Sequence, residues 1–367
     1  MNELFCRTVI IDVGKNFSAA ALEWFPQYGL RRIDAVLITH SHADAMYGLD
    51  DLRAWTFNIQ ASVDIYVSRE TFAAVLRSFP YLVAKEHATG GGDVPVLQWH
   101  IITPGVPFEL GTTGIVITPF EVHHGRLFST TAIGCEAQTE GPPTDSGKSM
   151  TNLTQAVVNQ TNPADITHQP YMCLAFNINN KIVYMSDVSF IPDTAWKIFD
   201  RIPIDRNSPL PVLVVDCLGL EPHISHFSLR QSIEAARRVA PLRTYLTGFD
   251  HGVPHEKYVD ITERLGGLAF GQPSPQPLSN VDVGQLVAQG DPIWLRPAHD
   301  GLKLTIDGKQ VRDSTYDGRV VTAEPYLQLR SIRQLVTQSF IGHRIRSLIT
   351  LLASIITLLL LGLVEVC

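Results

Sequence analysis

Short apolar runs that break off at polar residues recur along the first half of the chain. Residues 8–11 read as a buried strand entering a loop at Asp12 and Gly14, with helical periodicity over 18–29 (SAAALEWFPQYG) behind it. Residues 33–40 (IDAVLITH) form a second apolar strand that delivers a histidine to the following loop, and 48–57 (GLDDLRAWTF) have a helical pattern. Residues 63–70 (VDIYVSRE) and 71–79 (TFAAVLRSF) repeat strand then helix. This rhythm predicts an α/β sheet sandwich rather than an all-β fold.

Farther along, 114–126 (GIVITPFEVHHGR) alternate as a long strand ending at His123 and His124. Between 136 and 170 the composition turns to Thr, Asn, Gln, Gly and Pro, which predicts a flexible surface insertion carrying the sequons at Asn152 and Asn159. Strands resume at 171–178, 181–189 and 211–219. A helix follows over 228–240 with Ser228 as its N-cap, then a strand over 243–252 that runs into a polar loop. Residues 271–290 read as a linker or excursion, and 301–309 as a hairpin turning at Asp307 and Gly308.

Composition narrows the classes. With 367 residues, 45% of them hydrophobic, the chain can bury a large core, and its net charge of −7 argues against a broad grip on nucleic acid. Cys6, Cys135, Cys173, Cys217 and Cys367 show no CxxC spacing, so neither a disulfide framework nor a cysteine zinc site is expected, and a reducing, cytoplasmic compartment fits. Cys173 and Cys217 sit in apolar strand-like runs and read as inert core. No secretory signal opens the chain. Residues 348–364 carry no charge and follow His343, Arg344 and Arg346, so a tail anchor in a membrane is expected over 347–367, with an amphipathic helix docked on the domain or an extension produced by gene prediction as the alternatives.

The chemistry gathers at ITHSHADAMYGLDDL, 38–52, where His40, His42 and Asp44 occupy alternate positions. Imidazoles and a carboxylate on an extended loop after a strand are a ligand set for Zn²⁺, Mn²⁺ or Fe. Asp50 and Asp51 read instead as a charge pair at a helix start. The glycines of 88–93 (ATGGGD) lack the Lys-Ser/Thr of a phosphate-binding loop and read as a flexible loop, and no GxSxG elbow occurs.

The stretch THSHADAMYGLDDL resembles the HxHxDH signature of the metallo-β-lactamase-fold hydrolases. Other landmarks come in that family's order: IIDVG at 10–14, His124 before Gly125, YMSD ending at Asp187, and YLTGFDHGVPH at 245–255. The resemblance covers roughly residues 5–310 and is nearest to the branch holding the phosphonate-pathway cyclic phosphodiesterase and ribonuclease Z; PAHDGLKL at 297–304 is similar to an ending of the former. It implies a four-layer αββα sandwich, N-terminally shortened because Met1 leaves no room for the strand that precedes IIDVG. The implied domain spans 1–310, with 311–346 connecting it to the tail.

The resemblance further implies that His40, His42 and His124 hold a first ion, that Asp187 bridges two, and that Asp44 holds the second. Ala45 and Gly248 stand where the family carries two further second-ion histidines; His251 or His255 could fill the gap, and His123 is a spare imidazole pointing away from His124. His226 stands where relatives act on the phosphate or leaving group, with His223 a weaker candidate, and Asp12 would support the ligand loop. The expected activity is hydrolysis of a small or cyclic phosphodiester by water activated on one or two Zn²⁺ or Mn²⁺ ions, with catalytic roles for Asp44 and His226. A thioester or lactone hydrolase and a non-catalytic metal-binding protein are the alternatives. The expected partner is the small-molecule substrate, with a membrane at the tail and a homodimer as further candidates.

Overall fold

A computed structural model describes residues 7–127, 169–202, 209–266, 285, 290–308 and 310–317. The chain divides into two units, Met1–Ser314 and Thr315–Cys367, and the fold lies in the first. Four strands, β1 (Val9–Ile11), β2 (Ala35–Leu37), β3 (Val63–Val67) and β4 (Leu97–Ile101), pair in that order, all parallel. Parallel neighbours need crossovers, and helical segments supply them: α1 (Phe17–Tyr28), α2 (Ala43–Met46), α3 (Arg53–Asn58), α4 (Arg69–Ser78) and α5 (Pro80–Val83). The start of α4 is fixed by Ser68, whose hydroxyl accepts from the Thr71 amide at 3.1 Å.

The second sheet has seven strands. Three consecutive ones, β5 (Phe108–Glu109), β6 (Val116–Arg126) and β7 (Pro170–Ile178), run antiparallel to their neighbours. From β8 (Ile182–Met185), antiparallel to β7, the sheet continues in parallel through β9 (Val212–Asp216), β10 (Arg243–Thr247) and β11 (Leu295–Pro297). Its helices are α6 (Asp193–Phe199), α7 (Leu229–Val239) and α8 (His255–Leu265). Ser228 caps α7 as expected, its amide donating to Gln231 at 2.9 Å in a capping box. A hairpin of β12 (Leu304–Asp307) and β13 (Gln310–Asp313) follows.

The two-residue period of the strands builds the layers. Ala35, Leu37 and Tyr66 of the first sheet pack against Ile117, Leu174 and Phe176 of the second, forming the core between the sheets. Their strand neighbours face the other way. Val36, Ile65 and Val67 pack with Trp55 and Val75 beneath the first set of helices, while Val122, Ala175, Val183 and Val215 pack with Ile198, Ile233 and Ile261 beneath the second. The result is the expected αββα sandwich.

Parallel strands end on one side, where ligands of open α/β sheets are bound. Asp12 follows β1, Thr39 and His40 follow β2, Asp187 follows β8, Asp216 closes β9 and Gly248 follows β10. The sequence pattern carries no expectation for β4, β5, β11, α6 and α8; α8 begins at His255, where a polar loop is expected. The transmembrane expectation is corrected: among the described residues no helix is long and apolar enough to cross a membrane. The apolar run at 348–364 lies outside the described residues, as do nearly all of the 136–170 insertion and the 271–290 excursion.

Candidate metal centre

The site is built outward from Asp12. Its φ of 63° puts it in the left-handed region that Asp tolerates better than most residues, and this turns its carboxylate across the end of β2. One oxygen accepts from the Thr39 amide and the other from the Thr39 hydroxyl, each at 2.8 Å. Burial pushes the Asp12 carboxyl well above its ordinary range, and the two Thr39 bonds oppose that shift. Having donated its proton to Asp12, the Thr39 hydroxyl accepts from His40 Nδ1 at 2.8 Å. His40 therefore keeps its bare lone pair on Nε2. That atom is buried without a hydrogen-bond partner, on a residue only 1% exposed.

A second imidazole arrives from β6. Its register with β7 shifts between His123 and Arg126. At Gly125, with φ 74°, a Cβ would lie 2.9 Å from that of Ser225, so glycine permits this close approach of the 219–228 loop. His124 Nδ1 then donates to the Ser225 carbonyl at 2.8 Å, leaving Nε2 to face His42 Nδ1 at 3.2 Å. Tetrahedral Zn–N bonds of about 2.0–2.1 Å place two ligand atoms about 3.3 Å apart. The rings of His40 and His42 lie 4.5 Å apart, and each lies 5.0 Å from His124.

Electrostatics keep these groups available as ligands. Burial lowers the pKa of His40 to about 4, helped by the neighbouring His42 and His124 and opposed by Asp187; burial also lowers His124. Neutral imidazole is the ligating form. The ligand atoms of His40, His42 and His124 all lie within 4.8 Å of one another, as do those of His124, Asp187 and His226, and those of His40, Cys173 and Asp187. A buried lone pair with no partner, facing convergent nitrogens beside a carboxylate, fits a divalent cation.

Beside this cluster His226 Nδ1 lies 2.9 Å from Asp216 Oδ2 and 3.9 Å from Asp187 Oδ1. Asp216 is fully buried, and the same oxygen also accepts from the Val188 and Phe227 amides at 2.9 and 3.3 Å. Burial raises its pKa to about 6 against the pull of His226. On His226, burial acts downward, but the bond to Asp216 and the charges of Asp216, Asp187 and Asp44 overcome it, and the net shift is upward.

The remaining predicted residues divide. Asp44 Oδ1 stands 4.0 Å from His40 Nε2 on an exposed side chain. His251 is exposed and belongs to none of the three groups; His255 packs 6.1 Å from the ring of His299 and is likewise outside them. His123 packs against Phe190, the ring centroids 5.1 Å apart and the planes tilted by 47°. His223 is exposed and braces Ser225, its Nδ1 3.1 Å from the hydroxyl. Ala45 is buried, and Gly248 takes φ 85°.

Three neighbours escaped the sequence reading. Tyr171 stacks on His42 at 4.9 Å, with 19° between the planes, and its hydroxyl meets the Ser41 amide and hydroxyl at 3.2 and 2.7 Å. Asp216 ends β9 with no motif around it to single it out. Cys173, read as core, has its sulfur 3.8 Å from His40 Nδ1. The signal for Tyr171 and Cys173 is the pairing of β6 with β7, which sets Val122 opposite Cys173.

Residues 7–249 match the model of the beta-lactamase superfamily domain. Among curated proteins, an octanoyltransferase of Porphyromonas gingivalis is 29% identical over 121 residues, 33% of this chain; the match spans 22% of that protein's length. A solved diphosphatase from the PhnP family is 22% identical, with 82% of this chain and 80% of that one covered and a TM-score of 0.49. YhfI of Bacillus subtilis, a metallo-beta-lactamase fold protein, is 13% identical (83% and 86% covered, TM-score 0.46). The short form of human tRNase Z is 14% identical (66% and 82% covered, TM-score 0.41).

Proposed function

The chain belongs to the beta-lactamase superfamily, and from that premise we propose that it is a metal-dependent hydrolase of small or cyclic phosphodiesters. The observation that carries the reading is the partnerless, buried Nε2 of His40 beside the 3.2 Å approach of His42 to His124. His40, His42 and His124 would hold the ion, with Asp187 completing the set on its inner side. When bound, a divalent cation supplies Lewis-acid activation of water and offsets negative charge developing on a phosphoryl oxygen.

The protein's own groups do the rest. Asp12 and Thr39 keep the His40 proton on Nδ1. Asp44, exposed at the mouth, orients the attacking water. His226 is tied to Asp216 through Nδ1, so its free Nε2 is the atom that donates a proton to the leaving oxygen. The carboxylates around His226 favour the protonated ring that this role needs.

Protein loaded with Zn²⁺ or Mn²⁺ is expected to hydrolyse bis-p-nitrophenyl phosphate, and chelation or His42→Ala to abolish the activity. A second reading, a non-catalytic metal-binding protein, is favoured by Ala45 and Gly248, which offer no ligand for a second ion. One tightly held ion with no turnover of phosphodiesters, thioesters or lactones would decide for it.

A further inference from the structure

Cys173 takes no part in the proposed hydrolysis, yet it is one of the most enclosed groups beside the centre. It is 1% exposed, on the face of β7 that also carries Ala175, and its sulfur lies 3.8 Å from His40 Nδ1. Its other close polar contacts among the described residues are a long one to the Leu174 carbonyl, at 3.6 Å, and a hydrogen bond with the Thr39 side chain. The sulfur and the ligand atoms of His40 and Asp187 all fall within 4.8 Å of one another. The partnerless Nε2 of His40, the atom already offered to the imidazole cluster, is the lone pair that both groups would draw on.

We propose that Cys173, His40 and Asp187 form an inner sulfur-containing site that draws a thiophilic divalent ion below the three-imidazole cluster. The inference rests on the metal-binding reading above and deepens it by selecting the ion. Thiolate with imidazole and one carboxylate suits Zn²⁺ or Co²⁺, whereas Mn²⁺ prefers oxygen-rich surroundings. His40 belongs to both groups, so the two positions compete for it: a soft ion settles inward on sulfur, and a hard ion stays outward with His42 and His124. On binding, the Cys173 thiol releases its proton to solvent and a sulfur–metal bond forms; no electron is transferred. The inner site also offers a substitute for the ligands absent at Ala45 and Gly248.

The test is the absorption spectrum of the full chain titrated with Co²⁺ after metal removal. Wild type is expected to show visible d–d bands together with a near-ultraviolet sulfur-to-cobalt charge-transfer band. The charge-transfer band should vanish in Cys173→Ser and Cys173→Ala and persist in Cys217→Ser, with the visible bands kept in all three. In competition, Cys173→Ser should lose at least tenfold of its preference for Zn²⁺ over Mn²⁺. Visible bands without charge transfer in wild type overturn the sulfur site while leaving the imidazole site standing, and this refutation needs no variant to fold. A charge-transfer band that survives Cys173→Ser and Cys173→Ala overturns it by assigning the sulfur elsewhere. No cobalt bands of either kind would sink the metal-binding reading and this inference together.

Discussion

His226 and Asp216 are joined by a 2.9 Å contact between Nδ1 and Oδ2, and the carboxylate is sealed from solvent. The pairing raises the imidazole's pKa against the downward pull of burial. Asp216→Asn removes the charge that holds the proton, so the alkaline limb of the kcat/KM profile should move to lower pH. His226→Ala should cost about 10²–10⁴ in kcat if the ring protonates the leaving group. A limb that stays in place in Asp216→Asn would separate the pair from catalysis.

Asp12 is hydrogen-bonded to the centre through Thr39 and His40. Asp12→Asn should weaken the orienting chain without removing a ligand, lowering metal affinity by about 10–100-fold. Competition with a chromophoric chelator measures this. An affinity equal to wild type would show that packing alone orients His40.

Stability of the metal-free protein should carry His40's signature. Its folded pKa of about 4 lies below the ordinary 6.5, so the unfolded chain binds the extra proton between those values. The contribution is present above pH 6.5 and is lost as pH falls through about 4, with a ceiling of about 3 kcal/mol. Asp216, raised to about 6, works in the opposite direction, its contribution eroding as pH rises from the usual carboxylate range. Urea unfolding of wild type against His40→Gln from pH 7 to 4 isolates the first effect, because Asp216 is common to both. Parallel curves would refute it.

Restoring the family's histidine at Gly248 is obstructed by the backbone. With φ at 85°, an added Cβ would lie 2.8 Å from Asp216 Oδ1. Gly248→Ala should destabilise by about 1–2 kcal/mol from the left-handed backbone alone, with the contact to Asp216 added. Thermal unfolding reads the cost. Neutral behaviour would mean that the loop after β10 can relax.

What the sequence reveals here follows the range of each interaction. His40, His42 and Asp44 share one strand-end loop, and His124 and Asp187 each end an apolar run, so local pattern exposes them. The layered fold is legible for the same reason, since strand and helix periods are local. Tyr171 and Cys173 become visible only once β6 is paired with β7, and the bulge at Gly125 decides which side chains converge. Asp216 acquires its importance from a histidine ten positions later, across a loop. The short strands β5 and β11 have too few periodic positions to stand out, whereas α8 buries Tyr258, Ile261, Thr262 and Leu265 at helical spacing, a signal that the polar stretch before it masks.

The candidate ligand histidines do not share one sheet. His40 follows a strand of the four-stranded sheet, whereas His124 belongs to the seven-stranded one. A cation gathered between them would act as a rivet across the sandwich, so that neither half could open without surrendering it. Occupancy would then raise the melting temperature in proportion to the logarithm of free ion, making heat resistance a reporter of ion supply.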